Sequence, residues 1–153
     1  MVEIERKFLV DHDLFTKGDQ ILEIEQFYVA LYPDVVVRIR RSDQSAYITI
    51  KGQMKGISRP EFEYPIPLAD FFSLKKMTNR SGIEKLRHRI KVGRHIWDVD
   101  QFKGANEGLW LAEIELASEN ETFEIPQWLG AEVTFDKRYF NSFLSMHPYS
   151  GWH

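Results

Sequence analysis

Charged side chains recur at every second position through much of this chain. Glu3, Glu5 and Lys7 alternate near its start. Arg38 with Arg40, Arg59 with Glu61 and Glu63, Lys85 with Arg87 and Arg89, Asp98 with Asp100, and Glu113 with Glu115 repeat the pattern. Alternate side chains of a strand share one face, so each set stands together with its apolar neighbours opposite. Ile4 and Phe8, Val37 and Ile39, Ile48 and Ile50, Leu86 and Ile90, and Trp97 and Val99 supply those neighbours. One such strand is only a wetted outer face. Repeated along the chain, the pattern can do chemistry. Arginines and lysines on several strands suit a compact polyanion, because guanidinium groups grip phosphate oxygens in pairs. Carboxylates beside them suit hard divalent cations, which take oxygen ligands and bridge to phosphate. A metal-bound polyphosphate would satisfy both halves, whereas buried charges without partners would be costly.

The elements that must position these groups are mostly strands. Residues 2–10, 21–31, 35–41, 46–51, 57–66, 83–92, 95–102 and 109–117 read as eight of them, rich in β-branched and aromatic residues. Pro33-Asp34 and Gly93-Arg94 mark tight turns, and Pro60 hints at an edge or a distorted strand start. Residues 11–18 read as a polar turn and 124–130 as a turn or short helix. Residues 68–78 and 136–146 read as helices, the first with Leu68, Phe71, Phe72 and Leu74 at helical spacing. Eight strands joined by short turns predict an antiparallel sheet closed on itself, with room inside for one small ligand. The apolar segments need a surface to cover. The expected fold is therefore α+β: an eight-stranded antiparallel barrel with helices packed outside and the charged faces lining the lumen.

Composition narrows the class of protein. The 153 residues carry 14% aromatic and 28% charged residues, which predicts one globular domain spanning 1–153. A net charge of -3 without a basic tail argues against nucleic-acid binding. Cysteine is absent, which excludes disulfides and thiolate metal sites. No apolar run is long enough to span a bilayer as a helix, and no signal-peptide pattern leads the chain, so a cytoplasmic protein without a membrane partner is expected. A monomer or homodimer is expected. The five histidines, His12, His88, His95, His147 and His153, lack ligand spacing and are expected at the surface or in packing. Trp97 and Trp110 are expected to pack under the outer helices.

The order of these elements resembles the CYTH family, the triphosphate tunnel metalloenzymes. The likeness rests on the E-x-E-x-K of Glu3, Glu5 and Lys7, the R-x-R of Arg38 and Arg40, and Lys51. It continues through the R-P-E-F-E beginning at Arg59, the E-K-x-R ending at Arg87, the W-D-V-D ending at Asp100, the E-x-E of Glu113 and Glu115, and the D-K-R-Y from Asp136 to Tyr139. It implies a triphosphate tunnel and a metal-dependent triphosphatase using Mg2+ or Mn2+, most like the small bacterial inorganic triphosphatases, which hydrolyse tripolyphosphate to diphosphate and phosphate. Glu3, Glu5 and Glu115 become the first candidates for metal ligands, with Glu61, Glu63, Asp98, Asp100 and Glu113 assisting or holding basic neighbours. Lys7, Arg38, Arg40, Lys51, Arg59, Lys85 and Arg87 become candidates for gripping phosphate, and Arg89 is assigned to a solvated tunnel mouth. The resemblance further implies that Tyr28 and Lys85 form a proton-transferring pair, and it leaves the chemistry of 136–139 open.

Three alternatives of other kinds stay open. One is a class IV-type adenylate cyclase, another a thiamine triphosphatase of the same fold, and the third a non-catalytic polyphosphate-binding module. Two intact E-x-E pairs argue against mere binding. The inward positions are expected to bring only charges, hydroxyls and small groups apart from Tyr28 and Tyr47, which favours a bare triphosphate over one carrying a ring.

Overall fold

Period-two alternation along the chain becomes eight long antiparallel strands: β1 (Val2–Val10), β2 (Gln20–Leu31), β3 (Val35–Ser42), β4 (Ser45–Gly52), β5 (Ser58–Ile66), β6 (Ile83–Val92), β7 (His95–Phe102) and β8 (Trp110–Glu115). The computed structural model describes residues 1–79 and 82–152. The strands run in the order β5-β4-β3-β2-β6-β7-β8-β1, and β1 pairs back onto β5 to close the barrel. That seam is short: Val2, Glu3 and Ile4 pair with Pro60, Arg59 and Ser58. Beyond it, β9 (Leu129–Glu132) pairs with the far end of β1.

Cross-strand registers put the charged faces on one side. Glu5 lies opposite Glu115 and Lys7 opposite Glu113. Arg87 and Arg89 lie opposite Asp100 and Asp98, and Lys51 opposite Glu61. The apolar faces point outward. Phe27, Ile39 and Ala46 are covered by Phe71 of α1 (Leu68–Lys75). Phe71 is fully buried, and such burial stabilises by about 1.5–3 kcal/mol. Trp97, Val99, Ala112 and Ile114 form a second outer cluster with Phe8, Phe15 and Trp128.

At one end the inward face changes character. Ile83, Phe102 and Leu111 stand two or more positions along from Lys85, Asp100 and Glu113, and they pack with Leu144 of α2 (Asn141–Met146). α2 thus lies across that end of the barrel, outside the wall, and closes it with apolar contacts.

Several expectations are corrected. The stretch 136–146 is not one helix. A 3-10 turn, Lys137–Tyr139, is followed by extended Phe140 (φ -73, ψ 136) before α2 begins. Lys7 explains the break: its Nζ donates to the Tyr139 carbonyl at 3.0 Å and lies 5.5 Å from the Phe140 ring. The stretch 124–130 ends in strand β9, where Gly130 runs so close to β1 that a Cβ would meet the Leu9 carbonyl oxygen at 3.0 Å. The first helix stops at Lys75. Trp97 and Trp110 are covered by irregular segments carrying Phe15, Phe123 and Trp128 rather than by helices.

Candidate active site

The inward faces enclose a cavity of about 490 Å³, lined by residues from all eight barrel strands and by Thr134, Phe140, Asn141 and Ser142. Every candidate ligand and phosphate-binding residue from the sequence lines it except Asp100.

Arginines gather on β3. Arg38 and Arg40 both reach Glu63 Oε2, at 3.4 and 3.3 Å, and Thr49 Oγ1 donates to the same oxygen at 2.7 Å. Their buried Nε atoms have no hydrogen-bond partner among the described residues. Burial, with Arg38 and Arg87 nearby, lowers the Arg40 pKa to about 10. Lys51 stands between Glu3 at 3.1 Å and Glu61 at 3.2 Å. Burial and Arg38 work against its charge, but Glu3, Glu5 and Glu61 outweigh them and raise its pKa. Arg59 donates twice to the Gly52 carbonyl, at 3.1 and 2.8 Å, and burial lowers its pKa.

Carboxylates crowd β1, β7 and β8. Burial, then Glu113 and Glu3, push the Glu5 carboxyl well above the usual carboxylate range. Burial also opposes ionisation of Glu113, but Lys7, a hydrogen bond from Glu5, Arg87 and Lys85 prevail and hold it well below. The two carboxyls of this pair are thus pushed in opposite directions. Burial likewise raises Glu3, Asp98 and Glu115, each beside other carboxylates.

Asp100 takes the second of the two roles expected for it, holding basic neighbours. It is fully buried, its two oxygens take Arg87 Nε at 2.8 Å and Nη2 at 3.0 Å, and Lys85 Nζ lies 2.8 Å from Oδ2. With both oxygens engaged by cavity-lining Arg87 and Lys85, it anchors two cations. Burial opposes its charge, yet Arg87 and Lys85 lower its pKa. They also leave Lys85 in an unusual state: burial, with Arg87 adding to it, lowers the ammonium pKa to about 8 against the pull of Asp100.

Arg89 pairs with Asp98 at 3.1 Å and is 42% exposed, as befits a mouth residue. Tyr28 is buried and lines the cavity, and its Oη lies 3.5 Å from Gln26 Nε2. Asn141 Oδ1 accepts from Gln26 Nε2 at 3.2 Å and from Lys85 Nζ at 2.9 Å. Sequence spacing could not reveal Asn141, which reaches the lumen only because its helix crosses the end of the barrel. Leu22, Ile24, Val36, Met54 and Ile57 also line the cavity. They correct the expectation that inward positions apart from two tyrosines bring only charges, hydroxyls and small groups.

His12 and His88 stack on Trp110, His95 bonds to Glu121, and His147 lies against Phe143; His153 falls outside the described residues. No three acidic or imidazole side chains among the described residues stand at metal-ligating spacing. The donor chemistry nevertheless fits a hard divalent cation. Four carboxyls (Glu3, Glu5, Asp98 and Glu115) are held above their usual range. Added positive charge would relieve all of them. No helix among the described residues is long and apolar enough to cross a membrane.

Residues 1–143 match the CYTH domain. An inorganic triphosphatase of Acetivibrio thermocellus is 42% identical over 151 residues, covering 98% of this chain and 97% of the relative. An inorganic triphosphatase of Nitrosomonas europaea is 35% identical, covering 95% and 98%. The crystal structure of the inorganic triphosphatase NE1496 superimposes with a TM-score of 0.69 at 33% identity, covering 94% of each chain.

Proposed function

The chain belongs to the CYTH family, and from that premise we propose that it is a metal-dependent triphosphatase hydrolysing inorganic tripolyphosphate to diphosphate and phosphate. One observation carries the reading: a single cavity holds carboxyls pushed up by burial and by neighbouring carboxyls, and an arginine pushed down by burial and by neighbouring cations. The first group calls for a cation and the second for an anion. A metal-bound triphosphate supplies both.

Glu3, Glu5, Glu113 and Glu115, with Glu61 and Glu63 beside them, would hold the divalent ion, Mg2+ or Mn2+. When bound, that ion neutralises phosphate charge and makes water a better nucleophile. Arg38, Arg40 and Arg87 grip phosphate oxygens, and Lys7, Lys51 and Arg59 complete the cradle from the other strands. For Arg38 and Arg40, gripping means exchanging part of their hold on Glu63 for phosphate, and their unpartnered Nε atoms are further donors. The positive cradle stabilises charge on the equatorial oxygens of an in-line displacement. Lys85, with its pKa near 8, is the group best suited to take a proton near neutrality, and Tyr28 is its partner at the substrate.

The substrate is a small molecule, and the family relatives named for inorganic triphosphate favour the bare chain. The apolar residues Leu22, Ile24, Val36, Met54 and Ile57 could flank a ring, so a direct comparison is needed. Measuring kcat/KM for tripolyphosphate, ATP and thiamine triphosphate, with Mg2+ and then Mn2+, decides the matter. Tripolyphosphate should lead by at least about tenfold, which needs about 1.4 kcal/mol of discrimination. A lead for ATP or thiamine triphosphate would overturn the substrate while leaving the reaction class intact.

A further inference from the structure

Among the described residues, no direct hydrogen bond joins the two groups assigned above to proton handling. The hydrogen bonds between them run through two amides: Lys85 Nζ to Asn141 Oδ1 at 2.9 Å, Gln26 Nε2 to the same oxygen at 3.2 Å, and Gln26 Nε2 to Tyr28 Oη at 3.5 Å. The direction of this chain is set at its Lys85 end. An ammonium only donates, so Asn141 must present its carbonyl oxygen to it. That oxygen then requires the Gln26 amide to present its NH2 group, and the second hydrogen of the same group is aimed at Tyr28 Oη. The tyrosine oxygen is therefore an acceptor here, and its own hydroxyl hydrogen is free to point into the cavity it lines. Gln26 is fully buried and its Oε1 has no partner among the described residues. A buried amide normally satisfies both ends, and one left half-paired needs an explanation. The demand for its NH2 group at Asn141 and Tyr28 supplies it.

We infer that Gln26 and Asn141 are positioning residues that join Tyr28 to Lys85 and orient the tyrosine hydroxyl toward the substrate. The inference rests on the reading of Lys85 and Tyr28 as the proton-handling pair. It also assigns α2 a task beyond closing the barrel, since Asn141 is the first residue of that helix. The amides connect the two groups without adding charge beside Lys85. The charged groups acting on its ammonium are Asp100 from β7, Arg87 from its own strand and Glu113 from β8. Among the described residues, β2 and α2 bring Leu22, Ile24, Tyr28, Asn141 and Ser142 to the cavity, with Gln26 bonded to Asn141, and none of these is a carboxylate, imidazole, ammonium or guanidinium.

Four variants assayed on tripolyphosphate across pH test the inference. Asn141→Asp puts a carboxylate beside Lys85 and should move the rising limb of the activity profile up by about one pH unit. Asn141→Ser and Gln26→Leu break the chain without adding charge. Each should lower kcat by about tenfold while KM changes less than about twofold, because phosphate is held by other residues. A merely structural asparagine would lose stability in Asn141→Ser without this selective loss of kcat. Lys85→Met separates the two readings. If it keeps wild-type activity, the proton-handling assignment itself fails, and this inference with it. If it is inactive while Asn141→Asp leaves the limb unmoved and Gln26→Leu keeps its kcat, the proton handlers stand and the positioning role is overturned.

Discussion

Asp100 shows how one buried carboxylate can set the state of two cations. It neutralises Arg87 through two short contacts and holds Lys85 through a third. Removing one partner of such a buried network leaves uncompensated charge, so Asp100→Ala should lower unfolding stability by about 3–5 kcal/mol. Chemical denaturation would register the loss, and a change below about 1 kcal/mol would contradict this role. Lys85 gives the pH prediction, and its sign follows from burial. Its pKa falls from 10.5 to about 8, so the neutral amine predominates above about 8 instead of only above 10.5. Activity that depends on the neutral amine should rise through that range. A maximum below neutrality would exclude Lys85 as the proton acceptor.

At the scale of elements, the barrel is inside out, and each covering element has a distinct task. α1 seals the outer face of β2, β3 and β4 through Phe71. α2 and the turn before it close one end, where Leu144 is nearly fully buried against Ile83, Phe102 and Leu111. Leu144→Ala opens a cavity in that plug and should cost about 2–5 kcal/mol, measured by thermal or denaturant unfolding. The same substitution loosens the helix that carries Asn141, so kcat should fall more than KM rises. A variant with lost stability and unchanged kcat would separate closure of the barrel from placement of Asn141.

For the whole molecule, the decisive quantity is how charge is distributed within the lumen. Acidic and basic side chains meet across the cavity, yet each side keeps members strained by like neighbours. A metal ion and a polyanion each relieve one side and also attract one another, so their binding should be coupled. Ligands that bind only the folded state raise its melting temperature by mass action. Mg2+ and a slowly hydrolysed triphosphate analogue added together should raise Tm by more than the sum of their separate effects. Chelation should remove most of the analogue's effect, and strictly additive shifts would count against a shared site.

What the sequence determined by itself was parity. Because a strand alternates strictly, Glu3, Glu5, Arg38, Arg40, Glu113 and Glu115 had to share faces with one another. The apolar remainder could be buried only if something covered the outside, so a closed barrel with a charged lumen was legible before any contact was known. Tertiary structure decided which of those inward groups face solvent and which are consumed. Parity puts Asp100 on the lumen face, but only the β6–β7 register shows Arg87 taking both its oxygens. Local pattern likewise could not separate the charged part of the lumen from its apolar end, because Ile83, Phe102 and Leu111 obey the same alternation as their charged neighbours. Nor could it place Asn141 beside Lys85, since they stand 56 positions apart in the chain and their contact depends on where α2 crosses the barrel. Alternation is a local property of the backbone, whereas register, closure and the crossing of a helix depend on contacts distant in sequence.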